Sequence, residues 1–332
     1  MGPTVDRTVG LSARLKAYAV PTLGQSVAQL LVTLVAFGAL WTAMWLTLDL
    51  AYWMTLLLSI PAAAFLIRLF VLQHDCGHGS YFATRSANDL VGRALSVLTL
   101  TPYDYWRSTH AAHHATSGNL GRRGVGDIKT LTVREYLALS PWRRRAYRLY
   151  RNPVMLFVVV PTILFVILRR LPIERPAQRR SALISILATN LALAGLITAM
   201  IALIGPTDLV KIQLPIMVVA STIGVWLFFV QHQFEDGYWR TPEQWDFEEA
   251  ALQGSSYLKL PKPLQWLTAN IGLHHVHHLS SRIPNYRLQA CIDGFPELSQ
   301  GARRLDMVGT LKCAALALWC EDRQRLIRFR DL

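Results

Sequence analysis

The chain has 332 residues, of which 52% are apolar and 17% are charged, and its mean hydropathy is +0.28. Soluble globular domains carry about 25% charged residues, so the composition indicates an integral membrane protein rather than a soluble one. The net charge is +13, but no nucleic-acid-binding motif accompanies it, and we do not expect nucleic acid as a partner.

The N-terminal segment, residues 1–25, is predicted to be a cytosolic tail. It carries Arg7, Arg14 and Lys16 ahead of an apolar run that is too long for a secretory signal and has no small-residue cleavage site. Four runs approach the ~20 residues that a helix needs to cross a ~30 Å hydrocarbon core. These predicted spans are residues 27–48, 51–72, 182–204 and 209–230.

All ten histidines fall in four short stretches. In chain order they are His74 and His78, then His110, His113 and His114, then His232, and finally His274, His275, His277 and His278. If these stretches share one site, the chain must return to the same membrane face between them. Two shorter apolar runs, 90–100 and 154–168, are therefore expected to lie in the interface, or to dip in and return, without crossing.

The positive charges agree with this topology. Arginines flank the run 154–168 on both sides, at 143–151 and at 169–170, whereas the turns 49–50 and 205–208 contain no Lys or Arg. Because positive charge accumulates on the cytosolic side, the pattern predicts two helical hairpins with both termini and every histidine in the cytosol.

The histidine spacing predicts metal binding. His74 and His78 are spaced i, i+4, and two later groups follow i, i+3, i+4, which places each group on one helical face. Imidazole suits zinc, copper, iron and nickel. A zinc site takes three or four protein ligands, so this many histidines indicate two ions with open positions. Neither E-x-x-H nor H-E-x-x-H occurs, which excludes the carboxylate-bridged di-iron bundle and the common zinc protease helix.

The order HDCGH, HAAHH, QHQF and HHVHH resembles the histidine boxes of the membrane fatty acid desaturase family. The flanking segments "TPYDYWRSTHAAHH" (101–114), "FVQHQFEDGYW" (229–239) and "LQWLTANIGLHHVHHLSSRIPNYRL" (264–288) are similar to those of methyl-end, oleate-type desaturases. The resemblance extends from about residue 45 to residue 300.

The resemblance implies an all-α membrane protein in which four transmembrane helices, as two hairpins with interfacial helices, carry a cytosolic helical cap that holds a di-iron site. The membrane domain would occupy residues 26–300, and residues 301–332 would form a basic cytosolic C-terminal segment. The implied iron ligands are His74, His78, His110, His113, His114, His232, His274, His277 and His278. His275 is left over and is expected to point away from them, as a neighbour of the ligands or a surface residue.

Supporting residues are predicted from their position near the ligands. Metal-bound histidines usually donate their other N–H to a carboxylate or carbonyl. Side chains placed to support the ligands are Asp75, Glu235, Asp236 and, from farther away, Asp127, with Asn270 one helical turn before His274. Aromatic residues near the histidines are expected to line an acyl channel or to form an interfacial belt. They are Trp106, Trp226, Phe228, Phe229 and Trp239.

The implied activity is O2-dependent formation of a cis double bond, at the Δ12 (omega-6) position of an oleoyl-type membrane lipid, in a bacterial inner membrane. Two Fe2+ ions would be the cofactor. Electrons would come from an external ferredoxin-like donor, because no histidine remains to bind haem. Two alternatives stay open: a di-iron hydroxylase or ketolase acting on an alkane, a carotenoid or a sphingolipid, and a histidine-rich metal transporter or sensor.

Overall fold

The computed structural model describes residues 11–173 and 180–332, so Arg7 and the first ten residues of the predicted tail lie outside the described residues. The described chain is mostly helical. In chain order its α-helices are α1 (Leu11–Arg14), α2 (Leu23–Thr47), α3 (Tyr52–His78), α4 (Arg85–Leu98), α5 (Tyr103–Thr116), α6 (Val133–Ala138), α7 (Pro141–Tyr150), α8 (Val160–Val166), α9 (Arg180–Ile204), α10 (Pro206–His232), α11 (Phe247–Gln253), α12 (Lys262–Leu267), α13 (His274–Leu279), α14 (Leu288–Gly294), α15 (Pro296–Gly301) and α16 (Met307–Cys313). A π-helical segment, Met155–Val159, leads into α8.

Within the described residues, four helices are long and apolar enough to cross a membrane: α2, α3, α9 and α10. Each has 25 or 27 residues, or about 38 to 40 Å at 1.5 Å per residue. They confirm the four predicted spans. α3 and α10 continue beyond the predicted ends, so α3 carries its helix through His74 and His78, and α10 ends at His232.

The four helices form two hairpins. α2 turns into α3 over residues 48–51, and α9 turns into α10 at Gly205. α3 and α10 are the more buried members, whereas α2 and α9 expose large apolar side chains such as Val35 and Leu191. A helix that is apolar on all sides is stable where lipid covers its outer face. α2 and α9 are therefore the lipid-facing helices.

The helix ends that carry histidines meet at one side of the bundle. The ring centroids of His78 and His114 are 4.6 Å apart, and those of His113 and His232 are 4.7 Å apart. Two residues on the same membrane face are separated along the chain by an even number of membrane crossings. Between His114 and His232, α9 and α10 already supply two crossings. Neither α4 nor the segment Met155–Arg170, which is bent by 65° relative to α7, therefore crosses the membrane. The meeting of the histidines thus agrees with the expectation for the runs 90–100 and 154–168.

Arg68 joins three helices inside the bundle. It is 1% exposed, and its Nε donates to Thr33 Oγ1 of α2 at 3.1 Å. Its Nη1 donates to the carbonyl of Trp266 in α12, and its guanidinium carbon lies 4.2 Å from the centroid of the Trp266 ring. A buried guanidinium is stable where carbonyls and an aromatic face replace its water. Arg68 thus fixes α12, and the loop that leads to α13, against the membrane helices.

Two small sheets join the C-terminal segment to the cap, which is the part of the chain outside the four membrane helices that surrounds the histidines. The strands are β1 (Leu131–Thr132), β2 (Tyr257–Leu258), β3 (Arg304–Leu305), β4 (Leu318–Cys320) and β5 (Arg325–Ile327). β1 pairs in parallel with β4, which pairs antiparallel with β5, and β2 pairs in parallel with β3. The Tyr147 hydroxyl of α7 donates to the Ala317 carbonyl at 2.7 Å. Residues 301–332 therefore pack onto the cap.

We predict that Gly92→Ala destabilises the contact between α4 and α5. A Cβ at Gly92 would overlap the ring of Tyr103, whose hydroxyl donates to the Cys76 carbonyl at 2.8 Å and therefore holds the ring in place. Overpacking of this kind costs about 1–3 kcal/mol. Thermal unfolding in detergent should show a Tm lower by several degrees. Gly195→Ala in α9, where a Cβ meets no atom within 4 Å, is the control and should leave the Tm equal or higher. Equal Tm values for the two variants would contradict the assigned packing.

Candidate metal centre

Nine histidines form two adjacent groups at one end of the membrane helices, and α3, α5, α10 and α13 supply them. The five-histidine cluster consists of His74, His78, His110, His114 and His277. The four-histidine cluster consists of His113, His232, His274 and His278. In each cluster the ligand nitrogens all lie within 4.8 Å of one another.

Two of the histidine boxes are divided between the clusters. On α5, His110 and His114 join the five-histidine cluster, whereas His113 joins the other. On α13 the division is reversed, since His277 joins the five-histidine cluster and His274 and His278 join the other. The i, i+4 pair of each box stays together because residues four apart are neighbours on a helix. α5 and α13 therefore each bridge the two clusters.

The spacing of the nitrogens fits a metal ion in each cluster. The Nε2 atoms of His110 and His114 are 3.1 Å apart, and those of His232 and His274 are 2.9 Å apart. Ligand atoms at adjacent corners of a coordination shell lie about 3 Å apart when the metal–nitrogen bonds are about 2.1 Å long. Within the described chain, His78 Nε2 and His278 Nε2 are buried without a hydrogen-bond partner. Buried nitrogens that lack a partner are costly unless a cation uses their lone pairs.

The charge state of the rings suits metal binding. Burial, and next the neighbouring imidazoles, hold the pKa of His110 and His114 on α5 well below the ordinary value. Burial and neighbouring imidazoles do the same for the pKa of His277 and His278. These rings are therefore neutral at pH 7, with a lone pair available to a metal.

Three ring nitrogens that face away from the clusters have acceptors. His74 Nδ1 lies 3.3 Å from Asp75 Oδ1, and His113 Nδ1 lies 2.5 Å from Asp127 Oδ1. His232 Nδ1 lies 3.2 Å from the Gly254 carbonyl. A proton on Nδ1 leaves the lone pair on Nε2, the atom that faces the cluster. These acceptors therefore select the tautomer that binds a metal.

A mostly apolar cavity of about 330 Å³ adjoins both clusters. Its walls come from α3, α8, α10 and the start of α5, with side chains such as Ile67, Leu164, Met217 and Phe228. His74 and His110 reach it from the five-histidine cluster, and His274 reaches it from the other. Trp106 also lines the cavity and stacks on His110, with ring centroids 4.5 Å apart. An apolar chain in this cavity would lie against both clusters.

Residues 50–300 match the fatty acid desaturase family, which is more than half of the chain. This chain belongs to that family. A fatty acid desaturase from Bacillus subtilis is 43% identical over 322 residues, covering 97% of this chain and 91% of the relative. Family membership makes the protein an oxidoreductase of fatty acyl chains, and its four apolar helices place it in a membrane.

More distant relatives have narrower descriptions. An sn-1 oleoyl-lipid 12-desaturase from Synechocystis is 29% identical over 222 residues, covering 66% of this chain and 62% of the relative. A chloroplastic sn-2 acyl-lipid omega-3 desaturase (ferredoxin) from Arabidopsis thaliana is 26% identical over 305 residues, covering 85% of this chain and 62% of the relative. The desaturase thus spans less than two thirds of the length of these two relatives.

The structure separates the predicted supporting residues into two sets. Asp75 lies beside His74 as expected, and Asp127 reaches His113 through the loop after α5. The prediction for Glu235 and Asp236 is wrong, because both are exposed and form ion pairs with Arg325 and Arg303. α10 ends at His232, and the chain that follows turns these two carboxylates outward.

Asn270 and His275 hold the surroundings of the desaturase centre in place. Asn270 Nδ2 donates to the Asn285 carbonyl at 2.9 Å, and the Asn285 backbone and side-chain N–H groups donate to Asp75 Oδ2. His275 belongs to neither cluster. It is fully buried and stacks on Tyr257, which excludes the surface alternative and leaves the expected position beside the ligands. Burial lowers the pKa of His275 to about 4, and the ring is therefore neutral.

The channel prediction holds for Trp106 and Phe228, which line the cavity. Trp226 and Phe229 do not line it. They pack on Phe157 of the π-helical segment, with ring centroids 4.9 and 5.1 Å away. Successive residues of a helix point about 100° apart, and at these two positions the side chain faces Phe157 rather than the cavity. Trp239 stacks on Trp319 of β4 and is also outside the cavity lining.

The structure also shows two partners that the sequence analysis missed, the Gly254 carbonyl and Asn285. A backbone carbonyl has no sequence signal of its own. The "PNY" motif at 284–286, already part of the resemblance, was the available signal for Asn285.

We predict that Asp127→Ala weakens metal retention by the desaturase about 10- to 100-fold, since loss of a carboxylate behind a metal-binding histidine has an effect of that size. The His113 ring would lose the acceptor that holds its Nδ1 proton. Metal content after dialysis against a graded chelator series measures the change. Glu235→Gln removes a carboxylate only three residues from His232, but one that pairs with Arg325, and should retain metal as the wild type does. Equal retention in both variants would contradict the role of Asp127.

Proposed function

We propose that this desaturase forms a cis double bond at the Δ12 (omega-6) position of an oleoyl-type chain carried on membrane lipid, using O2, two irons and an external electron donor. One observation carries the proposal: two clusters of imidazoles face one apolar cavity. The flanking segments of the histidine boxes and the Synechocystis relative support the Δ12 position.

Iron is the metal that we assign to both clusters. Nine imidazoles exceed the ligands that one zinc ion uses, and imidazole is a good ligand for iron. Iron bound here would supply the redox chemistry with O2 that an unactivated methylene requires. Overall, O2 takes up four electrons and four protons to give two waters. The acyl chain supplies two electrons and two protons with its two hydrogens. The donor supplies two electrons, and the solvent supplies two protons.

The residues of this chain position the substrate. The cavity-lining residues of α10 extend from Met217 to Gln231, a rise of about 21 Å. One leaflet accounts for half of a ~30 Å hydrocarbon core, so a lipid acyl chain fits this length. His74, His110 and His274 line the cavity beside Trp106, so methylenes that rest there face both clusters. Fixed placement of reacting groups contributes a large part of the rate enhancement of such reactions.

The proposed location is the inner membrane of a bacterium, with the metal centre in the cytosol. The turns 49–50 and 205–208 lack Lys and Arg, whereas arginines concentrate on the histidine side, as in α7. This distribution supports the cytosolic placement of the site. The Bacillus subtilis relative, which covers 97% of the chain, supports the bacterial membrane.

We predict that expression in a host that makes only monounsaturated fat yields a diene. Gas chromatography with mass spectrometry should show a mass two hydrogens lower and a new double bond at Δ12. His113→Ala should abolish the product, because it removes one ligand of the four-histidine cluster, while membrane insertion is retained. Product from His113→Ala would contradict the ligand assignment. A gain of one oxygen would instead support the hydroxylase alternative, and a bond at another carbon would refute the Δ12 assignment.

We predict that Gly224→Leu reduces turnover of 18-carbon chains at least tenfold. Gly224 lines the cavity, and a Cβ there meets no atom within 4 Å, so a leucine side chain would occupy the space of the substrate. Iron content should stay at the wild-type level. Gly195→Leu in α9 also meets no atom at Cβ but lies outside the cavity lining, and should keep its activity. Unchanged turnover in Gly224→Leu would show that the acyl chain binds elsewhere.

A further inference from the structure

The two clusters differ in their access to solvent. All four members of the four-histidine cluster are buried, whereas His78, His110 and His114 of the five-histidine cluster are partly exposed. His110 lines the acyl cavity, but His78 and His114 do not. The exposed parts of His78 and His114 therefore face away from the substrate, toward the outer surface of the cap.

Small residues surround these two partly exposed residues. Ala111 and Ala115 follow His110 and His114 on α5, and both are exposed. Gly79 follows His78 and ends α3 with a φ of 67°, in the left-handed region where glycine is favoured. Since none of the three carries a side chain larger than a methyl group, another protein surface can approach His78 and His114 closely. Electron transfer weakens steeply with distance, so close approach favours it.

The rim of this surface is basic. Arg282 is exposed, and its Nη1 lies 3.5 Å from the His78 carbonyl. On the α5 side, Arg107 pairs with Asp89 and Asp104. The same two carboxylates also pair with two further arginines, Arg85 and Arg93. Among the described residues of this rim, four arginines stand against two carboxylates, which leaves a net positive charge.

We propose that this surface, formed by Gly79, Arg107, Ala111, Ala115 and Arg282 and named here the α5 face, is the docking site of an acidic soluble electron donor. The inference rests on the proposed function, in which two electrons per turnover come from outside the chain. Each one-electron donor is oxidised at the α5 face, and the electrons reduce O2 at the centre. Redox encounters use small interfaces and are steered by complementary charge, so a small basic face is sufficient.

The test compares two charges at one position. Wild type, Ala115→Glu and Ala115→Lys are loaded with iron and reconstituted in nanodiscs that contain oleoyl phosphatidylcholine. Turnover is measured with an acidic [2Fe–2S] ferredoxin and, separately, with dithionite-reduced methyl viologen. Ferredoxin binding is measured by biolayer interferometry. We expect Ala115→Glu to raise both the Kd and the KM for ferredoxin about tenfold, whereas Ala115→Lys keeps the wild-type values. Viologen-driven turnover should be equal in all three, because viologen needs no docking surface.

Two results would overturn the α5 face: a ferredoxin Kd in Ala115→Glu within twofold of wild type, or equal weakening by Glu and Lys. Arg145→Glu, an exposed arginine of α7, is the control and should bind ferredoxin normally. If Ala115→Glu also loses viologen-driven turnover, ferredoxin binding is measured for Arg282→Gln instead. A raised ferredoxin Kd in this variant supports docking at the α5 face, and an unchanged Kd contradicts it. Absence of viologen-driven product in wild type would contradict the proposed desaturation. The ferredoxin Kd values would still show whether ferredoxin docks at the α5 face.

Discussion

Nine imidazoles meet ring to ring at one end of the helical bundle, and the rest of the structure depends on holding them there. Rings whose Nδ1 protons are held by outside acceptors, as in His74, His113 and His232, present only Nε2 lone pairs to the cluster and cannot satisfy one another by hydrogen bonds. Burial of such an array is unfavourable unless cations use the lone pairs. The remaining features can be understood as supports for this array. Helices run straight into it, carboxylates orient its rings, and a cap shields its four-histidine half from solvent.

The residues that hold the histidines in place come from distant parts of the chain. Asp75 holds His74 and also accepts two hydrogen bonds from Asn285, so α3 and the segment after α13 fix each other. Within the bundle, Arg68 connects α2, α3 and α12. The contacts described for Arg68 include no carboxylate. The small sheets attach the C-terminal segment to the same cap. The centre therefore gains rigidity from long-range contacts rather than from any single helix.

Much of this was accessible from the sequence, because the strongest signals are periodic. Hydropathy located the four spans, and the i, i+3, i+4 spacing placed the histidine boxes on helices α3, α5 and α13. The shared site then determined which apolar runs do not cross. The division of each box between two clusters was not accessible. It depends on how α5 and α13 are rotated against α3 and α10, and no single helical pattern specifies that angle.

The predictions were wrong where closeness in sequence to a histidine or to Phe228 was taken to show the direction of a side chain. Glu235 and Asp236 are three and four residues from His232, but the helix ends at that histidine and the side chains leave the site. Trp226 and Phe229 are within two residues of Phe228, but they lie on another face of α10. Asp127, thirteen residues from His114, is the better partner because its loop folds back over α5.

The histidine boxes of α5 and α13 each supply ligands to both clusters, and this affects how the centre matures. The five-histidine cluster needs His277, and the four-histidine cluster needs three residues that follow α9. Neither half of the chain holds a complete set, so during synthesis no nascent N-terminal fragment carries a finished centre. Neither cluster can therefore offer its full ligand set to a metal ion until both hairpins have formed and α13 has docked.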